Sequence, residues 1–200
     1  MGAGDRDVRL TGGEHSGRIL KVPADGTRPT QDKVRAAIFS SLAAFVPGAR
    51  VLDLFAGTGA IGLEAWSRGA AYVDWVESGK HALRALRDNL HALGVPPAAG
   101  RVLASDAFKL LGFPCAGEGF DLAVADPPYA EAKANGWQAR LADLLAQNGW
   151  VKPGGVFVFE TEGHDPLPAL TGWRLARDKT YGSTRVLIWV RQGDDPLIIE

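Results

Sequence analysis

The fold is decided by the stretch Val51-Leu52-Asp53-Leu54-Phe55-Ala56-Gly57-Thr58-Gly59-Ala60-Ile61-Gly62. A short apolar run with one acid passes into a glycine turn and then into a helical pattern. This order predicts a buried parallel strand, a tight loop and a helix. The three glycines match G-x-G-x-x-G, which lets a ligand approach the backbone and a helix pack on a strand. A merely structural strand-turn-helix also fits this pattern.

A second stretch, Asp126-Pro127-Pro128-Tyr129, follows another apolar run, Phe120 to Ala125. An Asp-Pro-Pro-Tyr directly after a strand resembles the catalytic motif of S-adenosylmethionine-dependent methyltransferases that act on exocyclic amino groups. It lies roughly 70 residues after the glycine stretch, which fits three strand-helix units. Together, the two stretches indicate a methyltransferase of this class far more specifically than either stretch does alone.

The composition is that of an ordinary globular protein of 200 residues, with a net charge of −1. It has no apolar run of the ~20 residues that span a membrane, and residues 1–9 have no signal-peptide pattern. The single Cys115 can form no internal disulfide, which suits a reducing compartment. No Cys/His spacing indicates a metal site. We therefore expect a cytoplasmic protein without membrane association and without a metal.

Charge is distributed unevenly along the chain. Residues 1–50 hold eight Lys/Arg against five acids, whereas residues 51–129 hold six against nine. A basic first quarter is compatible with a surface that faces phosphate groups, and a solvated face explains it about as well.

The N-terminal part predicts a small β-hairpin, with strands at residues 8–11 and 18–22 around Gly12-Gly13. A helix then begins at an N-cap residue, Thr30, and ends before Pro47-Gly48. This piece is too small for a separate domain. We predict an N-terminal extension over residues 1–48, a methyltransferase domain over 49–192 and a tail over 193–200.

The remaining pattern alternates strands and helices. It predicts strands at 72–76, 101–104, 120–125, 156–160, 173–179 and 184–190, helices at 81–93 and 137–150, and a mobile segment at 131–136. The predicted fold is a Rossmann-like, class I S-adenosylmethionine-dependent methyltransferase. Its sheet is seven-stranded and mostly parallel, with an antiparallel C-terminal hairpin, and the small N-terminal β-hairpin and helix are added to it.

Four acids lie at strand ends or in motifs where such sheets bind ligands: Asp53, Glu77, Asp106 and Asp126. Glu77 is 24 positions after Asp53, close to the ~20 expected for an acid that binds a ribose diol. Asp106 suits the adenine amine, with the backbone N–H of Ala107 beside it. Asp53 either orients the loop or meets the methionine ammonium, and a helix N-cap is the alternative for each acid. The predicted residues for S-adenosyl-L-methionine are Thr30, Asp53, Phe55, Ala56, Gly57, Thr58, Gly59, Glu77, Asp106 and Ala107.

The Asp-Pro-Pro-Tyr stretch has its own chemical logic. An aromatic exocyclic amine is a poor nucleophile because its lone pair is delocalised into the ring. The Asp126 carboxylate and the Pro127 carbonyl can accept its two N–H bonds, which favours a tetrahedral nitrogen. The prolines, Pro127 and Pro128, stiffen the loop and remove competing donors, and Tyr129 can stack on the base. A proline turn after a strand is the purely structural alternative.

The segment Arg28-Pro29-Thr30-Gln31-Asp32-Lys33-Val34-Arg35 is similar to a stretch of the bacterial 16S rRNA guanine-N2 methyltransferases, the RsmD family. The Asp53–Gly62 motif, the Asp-Pro-Pro-Tyr and Tyr181-Gly182-Ser183-Thr184 agree, so the resemblance covers residues 8 to 191. It implies methylation of one guanine N2 amine in 16S rRNA, in the assembled small ribosomal subunit. It also implies that the N-terminal hairpin and helix contact RNA and cover the cofactor. The predicted RNA-contacting residues are Arg18, Arg28, Lys33 and Arg35, and we expect a monomer.

Three other functions fit parts of the sequence. A DNA adenine-N6 methyltransferase uses the same Asp-Pro-Pro-Tyr chemistry, but such enzymes generally need a target-recognition domain for which this chain has no room. A protein-glutamine methyltransferase would favour Asn in place of Asp126. A non-catalytic S-adenosylmethionine-binding or ribosome-assembly protein has no need of Asp126 and Tyr129.

Overall fold

A computed structural model describes residues 8–22, 30–163 and 166–193, with the backbone alone at Thr30 and Gln31. The chain divides into two compact units, Met1–Ala107 and Phe108–Glu200. The predicted boundary between residues 48 and 49 stays a prediction. Within the described ranges, no helix is long and apolar enough to cross a membrane.

The first unit begins with the predicted hairpin and helix. The hairpin strands β1 (Val8–Arg9) and β2 (Ile19–Leu20) pair antiparallel, and α1 follows at Thr30–Ser41. The chain then alternates between strands and helices, as β3 (Arg50–Asp53), α2 (Ala60–Ser67), β4 (Tyr72–Glu77), α3 (Lys80–Ala92), a 3-10 turn (Pro97–Ala99) and β5 (Gly100–Ala104). These three strands are parallel, in the order β5-β4-β3.

The glycines after β3 include one, Gly62, with the close-packing role that the motif predicts. A Cβ atom at Gly62 would overlap the indole of Trp75 on β4, and one at Gly59 would overlap Leu86 on α3. Helix α2 therefore packs closely on β4 because Gly62 lacks a side chain, and Gly59 leaves room for the end of the Leu86 side chain. At Gly57, whose φ is +54°, a Cβ would meet nothing nearer than 4.0 Å, so the loop is open on that side.

The second unit carries the rest of the sheet and its helices. A short helix, α4 (Ala107–Leu111), leads into it, followed by β6 (Phe120–Ala125), α5 (Tyr129–Ala134), α6 (Trp137–Gln147), β7 (Val151–Glu162), β8 (Trp173–Tyr181) and β9 (Thr184–Arg191). Strands β6 and β7 are parallel, whereas β9 pairs antiparallel with both β7 and β8. The predicted fold class, a seven-stranded, mostly parallel sheet with an antiparallel C-terminal end, is confirmed.

Two local predictions need correction. The segment 131–136, predicted to be mobile, is largely helix α5, because Ala130, Glu131, Ala132, Lys133 and Ala134 favour helix. Strand β7 begins at Val151 rather than at Val156, since Val151 already pairs with Phe120. Residues 152–155 lie inside this strand, opposite the point where the register shifts between Phe120 and Leu122.

A buried ion-pair network holds the N-terminal hairpin and α1 against α2. Its centre is Glu64, which is fully buried. The Glu64 carboxylate accepts hydrogen bonds from Thr11 N (2.8 Å) and Thr11 Oγ1 (2.7 Å). It also pairs with Arg68 Nε at 2.7 Å and Arg35 Nε at 3.3 Å. Arg35 in turn donates to Asp32 at 2.9 Å, so one carboxylate ties together three separate segments.

We expect Glu64→Ala to lower the free energy of unfolding by about 3–5 kcal/mol, because it removes the fully buried one of the two carboxylates that pair with the buried Arg35 guanidinium. Urea denaturation followed by circular dichroism measures this. The matched control is Glu131→Ala, which removes an exposed acid from α5 and should change stability by about 0.5 kcal/mol or less. Equal effects of the two substitutions would contradict the structural role of Glu64.

Candidate active site

Glu77 organises the glycine loop of the first unit. It is the last residue of β4, and its Oε2 accepts a hydrogen bond from Gly57 N at 2.8 Å. Its Oε1 accepts from Gly79 N at 2.6 Å. Each carboxylate oxygen has two lone pairs, so both oxygens keep acceptor capacity for hydroxyl groups of a ligand. The half-buried carboxylate is thus fixed in place at the carboxyl end of the parallel strands, where such sheets bind ligands.

Asp53 lies beside the glycine loop and contacts the start of α2. Its side chain is 1% exposed, and Oδ2 accepts a hydrogen bond from Gly62 N at 2.9 Å. Gly62 lies in the first turn of α2, where backbone N–H groups have no partner within the helix. Asp53 therefore holds the start of α2, and both of its predicted roles, toward the loop and toward the methionine ammonium, stay predictions.

The other predicted cofactor residues differ in exposure. Asp106 is exposed and Ala107 is buried at the start of α4. Ala56 is buried, with its N–H donating to Val76 O at 3.0 Å, whereas Phe55 and Thr58 are half-buried. The side chain of Thr30 lies outside the described residues.

A residue that the sequence patterns did not single out, Asn89 on α3, links the hairpin to the glycine loop. Asn89 is 2% exposed. Its Nδ2 donates to Thr58 O at 2.9 Å and to Lys21 O at 3.0 Å, and its Oδ1 accepts from Lys21 N at 2.8 Å. An Asn within an amphipathic helix gives no sequence signal for such a role, because both of its partners are distant in the chain.

The Asp-Pro-Pro-Tyr motif of the second unit directly follows the buried strand β6. Asp126 is half-buried. Loss of solvent raises the pKa of its carboxyl group to about 6, against a smaller opposing effect of a hydrogen bond from Tyr129. Pro127 is buried, and Pro128 is the residue before α5, with its carbonyl accepting from Ala132 N at 3.0 Å. The Pro128 carbonyl is thereby committed to the helix, which fits the predicted use of the Pro127 carbonyl as acceptor.

The Tyr129 side chain is a neutral phenol at and around pH 7, because the pKa of its hydroxyl group is raised. Burial raises the pKa of its hydroxyl group first, and the negative charge of Asp126 raises it further, while a hydrogen bond to Thr184 opposes both. The Tyr129 hydroxyl lies 3.4 Å from Thr184 Oγ1 at the start of β9. Sequence patterns give no signal for this contact, because Thr184 lies 55 residues after Tyr129 in the chain.

The four predicted RNA-contacting residues do not share one environment. Arg18 and Lys33 are exposed, and Arg18 Nη2 donates to Ala92 O at the end of α3, at 3.1 Å. Arg28 lies outside the described residues. The prediction for Arg35 is not supported, because this side chain is 4% exposed and its guanidinium pairs with Glu64 and Asp32.

The sheet topology, the glycine loop and the Asp-Pro-Pro-Tyr motif define a class of protein, the Rossmann-like class I methyltransferases. Within the described ranges, no group of three or more His, Cys, Asp or Glu side chains could hold a metal ion. A solved structure described as "Putative methyltransferase yhhF from Escherichia coli" matches with a TM-score of 0.82 at 35% identity, covering 93% of this chain and 98% of that one.

Comparisons of the sequence identify the family. A family model described as "Conserved hypothetical protein 95" matches residues 8–190. "Ribosomal RNA small subunit methyltransferase D" of Escherichia coli (strain K12) is 34% identical over 192 residues, which cover 95% of this chain and 93% of the relative. The relative of the same name in Haemophilus influenzae is 33% identical, over 88% of this chain and 90% of its own length. The chain belongs to this family, the RsmD family, as its motifs predicted.

Proposed function

We propose that this protein transfers a methyl group from S-adenosyl-L-methionine to the exocyclic N2 amine of one guanine in 16S rRNA, within the small ribosomal subunit. The observation that carries the proposal is the half-buried Asp126 carboxylate at the start of Asp-Pro-Pro-Tyr. The relatives named rRNA small subunit methyltransferase D, which this chain matches over most of its length, support the substrate class.

In this proposal the first unit holds the methyl donor. Glu77 binds the ribose hydroxyls, because its carboxylate is already oriented by Gly57 and Gly79. The open side of Gly57 admits the amino-acid part of the donor, and Asp53 keeps the loop in shape by holding Gly62. Asp106 and Ala107 receive the adenine edge. When bound, the donor supplies an electrophilic methyl group on a sulfonium. The remaining predicted cofactor residues (Thr30, Phe55, Ala56, Thr58 and Gly59) complete the surroundings of the donor.

The second unit prepares the amine. The Asp126 carboxylate and the Pro127 carbonyl each accept one N–H bond of the guanine amine, so that its lone pair is available for attack. The pKa of the Asp126 carboxyl group is raised to about 6, which is still below 7. At pH 7 the group is therefore mainly ionised and accepts the hydrogen bond as an anion. The neutral Tyr129 ring, held by Thr184, stacks on the extruded base.

The substrate contacts beyond the base involve the N-terminal part. The exposed Arg18 and Lys33, together with Arg28, are the proposed phosphate contacts. The chain has a net charge of only −1 and no basic excess, so electrostatic attraction to RNA is weak. In this proposal the protein recognises its target by the shape of the assembled subunit. We propose that the protein acts as a monomer in the cytoplasm.

The test is methyl transfer from labelled S-adenosylmethionine to three substrates: small subunits from a strain that lacks this gene, naked 16S rRNA, and double-stranded DNA. Digestion to nucleosides then identifies the product. We expect labelled N2-methylguanosine from the small subunits. Labelled N6-methyladenine in DNA would establish the DNA enzyme instead, and cofactor binding with no label in any substrate would favour a non-catalytic role.

The pKa of Asp126 predicts how the rate depends on pH. Because folding raises this pKa to about 6, the carboxylate is ionised above pH 6 and protonated below it. A protonated carboxyl offers a donor where the amine needs an acceptor, so kcat/KM should be constant above pH 6 and fall by about tenfold per pH unit below it. Asp126→Asn cannot titrate, and its residual activity should show no break near pH 6. A break at the same pH in this variant would assign the ionisation to another group.

A further inference from the structure

Helix α3 of the first unit turns a row of basic side chains toward solvent. Its buried side is formed by Leu83, Leu86 and Asn89. Four exposed side chains follow one another on its solvent side at spacings of four, three and four residues: Lys80, Arg84, Arg87 and His91. Residues three and four apart are neighbours on a helix surface, so they form one row about 16 Å long. We call this row the α3 basic face.

Acids in contact with α3 do not neutralise the α3 basic face. Asp88 is the one acid of the helix, and it pairs with Lys21 of the hairpin segment at 3.6 Å. Among the residues that the structure describes, no carboxylate pairs with Lys80, Arg84 or Arg87. The whole chain has a net charge of only −1, so the positive charge at this face is a local excess.

The α3 basic face connects two parts of the first unit that the proposed function uses. Its N-terminal end lies beside Glu77, because Gly79, the residue before α3, donates to Glu77 Oε1 at 2.6 Å. Its C-terminal end meets the hairpin, where Arg18 Nη2 donates to Ala92 O at 3.1 Å. Arg18 is itself a proposed phosphate contact, so the face continues that surface from the hairpin toward the donor site.

The exposed side chains of α3 favour a phosphate backbone as the partner. An arginine guanidinium can donate two parallel hydrogen bonds to one phosphate, and a row of cations complements the row of charges along a nucleic-acid strand. A helix that binds a membrane surface combines such charges with large apolar side chains that enter the lipid. In α3, all of whose residues the structure describes, no large apolar side chain is exposed.

We infer that the α3 basic face binds the sugar-phosphate backbone of the substrate rRNA, with Arg84 and Arg87 each contacting a phosphate. This inference rests on the proposed function, since it takes rRNA as the substrate. It adds α3 to the hairpin and α1 as an element that holds the RNA. Because the attraction of the whole chain to RNA is weak, such short-range contacts contribute a large part of the affinity.

The experiment measures binding of the wild type and of Arg84→Gln/Arg87→Gln to small subunits from a strain that lacks this gene, over a series of salt concentrations. Each phosphate contact contributes about 0.7–0.9 to the slope of log Kd against log salt. We therefore expect the double variant to lower this slope by about 1.5 and to raise Kd about 30-fold at ~0.1 M salt. The kcat with saturating subunits and the affinity for S-adenosylmethionine should stay unchanged, because neither arginine belongs to the residues proposed for the donor or the base.

Two further variants are matched controls. Arg84→Lys/Arg87→Lys retains both positive charges and should keep the wild-type salt slope. Arg174→Gln/Arg177→Gln removes the same charge from exposed positions of strand β8 in the second unit, and should bind subunits like the wild type. Glutamine is a good helix former, so the α3 variant should fold with the Tm of the wild type, which circular dichroism checks.

A face that is only solvated predicts a different result. Wild-type Kd and salt slope in Arg84→Gln/Arg87→Gln, or an equal loss in Arg174→Gln/Arg177→Gln, would overturn the inference and leave the proposed methylation intact. Binding to vesicles of anionic phospholipid that the α3 variant loses, with unchanged binding to subunits, would assign the face to a membrane surface and overturn it as well. If the wild type forms no N2-methylguanosine on the subunits, the proposed function itself fails, and the inference fails with it.

Discussion

Asp126→Ala is expected to lower the rate of methyl transfer by about 10²–10³-fold, the range for loss of one positioned hydrogen-bonding group of an active site. The affinity for S-adenosylmethionine should stay unchanged, because the residues proposed for the donor belong to the first unit. The Asp126 carboxylate is half-buried after strand β6, and its raised pKa means that the ionised side chain is held at a cost to stability above pH 6. The variant should therefore fold at least as well as the wild type at pH 8. Single-turnover transfer and calorimetric titration of the donor measure the two quantities.

The matched control is Asp121→Ala on the same strand. Asp121 pairs with Lys152 at 2.8 Å, and both side chains are partly exposed. Removing such a pair should cost about 1 kcal/mol or less and leave turnover intact. Full activity of Asp126→Ala, or an equal loss in Asp121→Ala, would remove Asp126 from the mechanism.

Glu77→Ala should weaken binding of S-adenosylmethionine by about 100-fold. Hydrogen bonds to a charged acceptor contribute about 1.5–3 kcal/mol each, and about 2.7 kcal/mol corresponds to a hundredfold change in the dissociation constant. Glu77 also holds Gly57 and Gly79, so the loss of affinity combines the ribose contact with a looser loop. Calorimetry gives the total effect.

A donor analogue without the ribose 2′-hydroxyl separates the two contributions. It should bind the wild type more weakly than S-adenosylmethionine does, whereas Glu77→Ala should bind both compounds equally. A variant that still distinguishes them would show that Glu77 acts only on the loop. Glu118→Ala, at an exposed acid in the loop before β6, is the control and should not change either affinity.

Apolar runs and glycine motifs in the sequence predicted those strands and turns whose conformation depends on neighbouring residues in the chain. Strand β6 was predicted with its observed bounds, because a mainly apolar run is followed by Asp126 and two prolines. The role of Gly62 was also predictable, since the motif requires close packing of helix on strand, and Trp75 fills that space. The six-residue helix α5 was missed because it is too short to show an apolar period.

The contacts that the sequence did not reveal are made between residues that are distant in the chain. Arg35 was assigned to RNA, but its counter-charge, Glu64, lies 29 residues further along and inside another helix. Asn89 and its partner Lys21 are 68 residues apart, and Thr184 follows Tyr129 by 55. A periodicity or motif describes only a short segment, so it cannot reveal such pairs. That Glu77 lies at the end of strand β4 was predictable, because the apolar run that precedes it is local.

The most direct test of the proposed function is the modification state of 16S rRNA in cells. Small-subunit rRNA would be isolated from a strain without the gene and from the same strain carrying either the wild-type gene or Asp126→Ala, and N2-methylguanosine would be quantified by mass spectrometry. We expect the deletion to lower the content by one N2-methylguanosine per 16S molecule, and only the wild-type gene to restore it. An unchanged content in the deletion strain, or full restoration by Asp126→Ala, would contradict the proposed function.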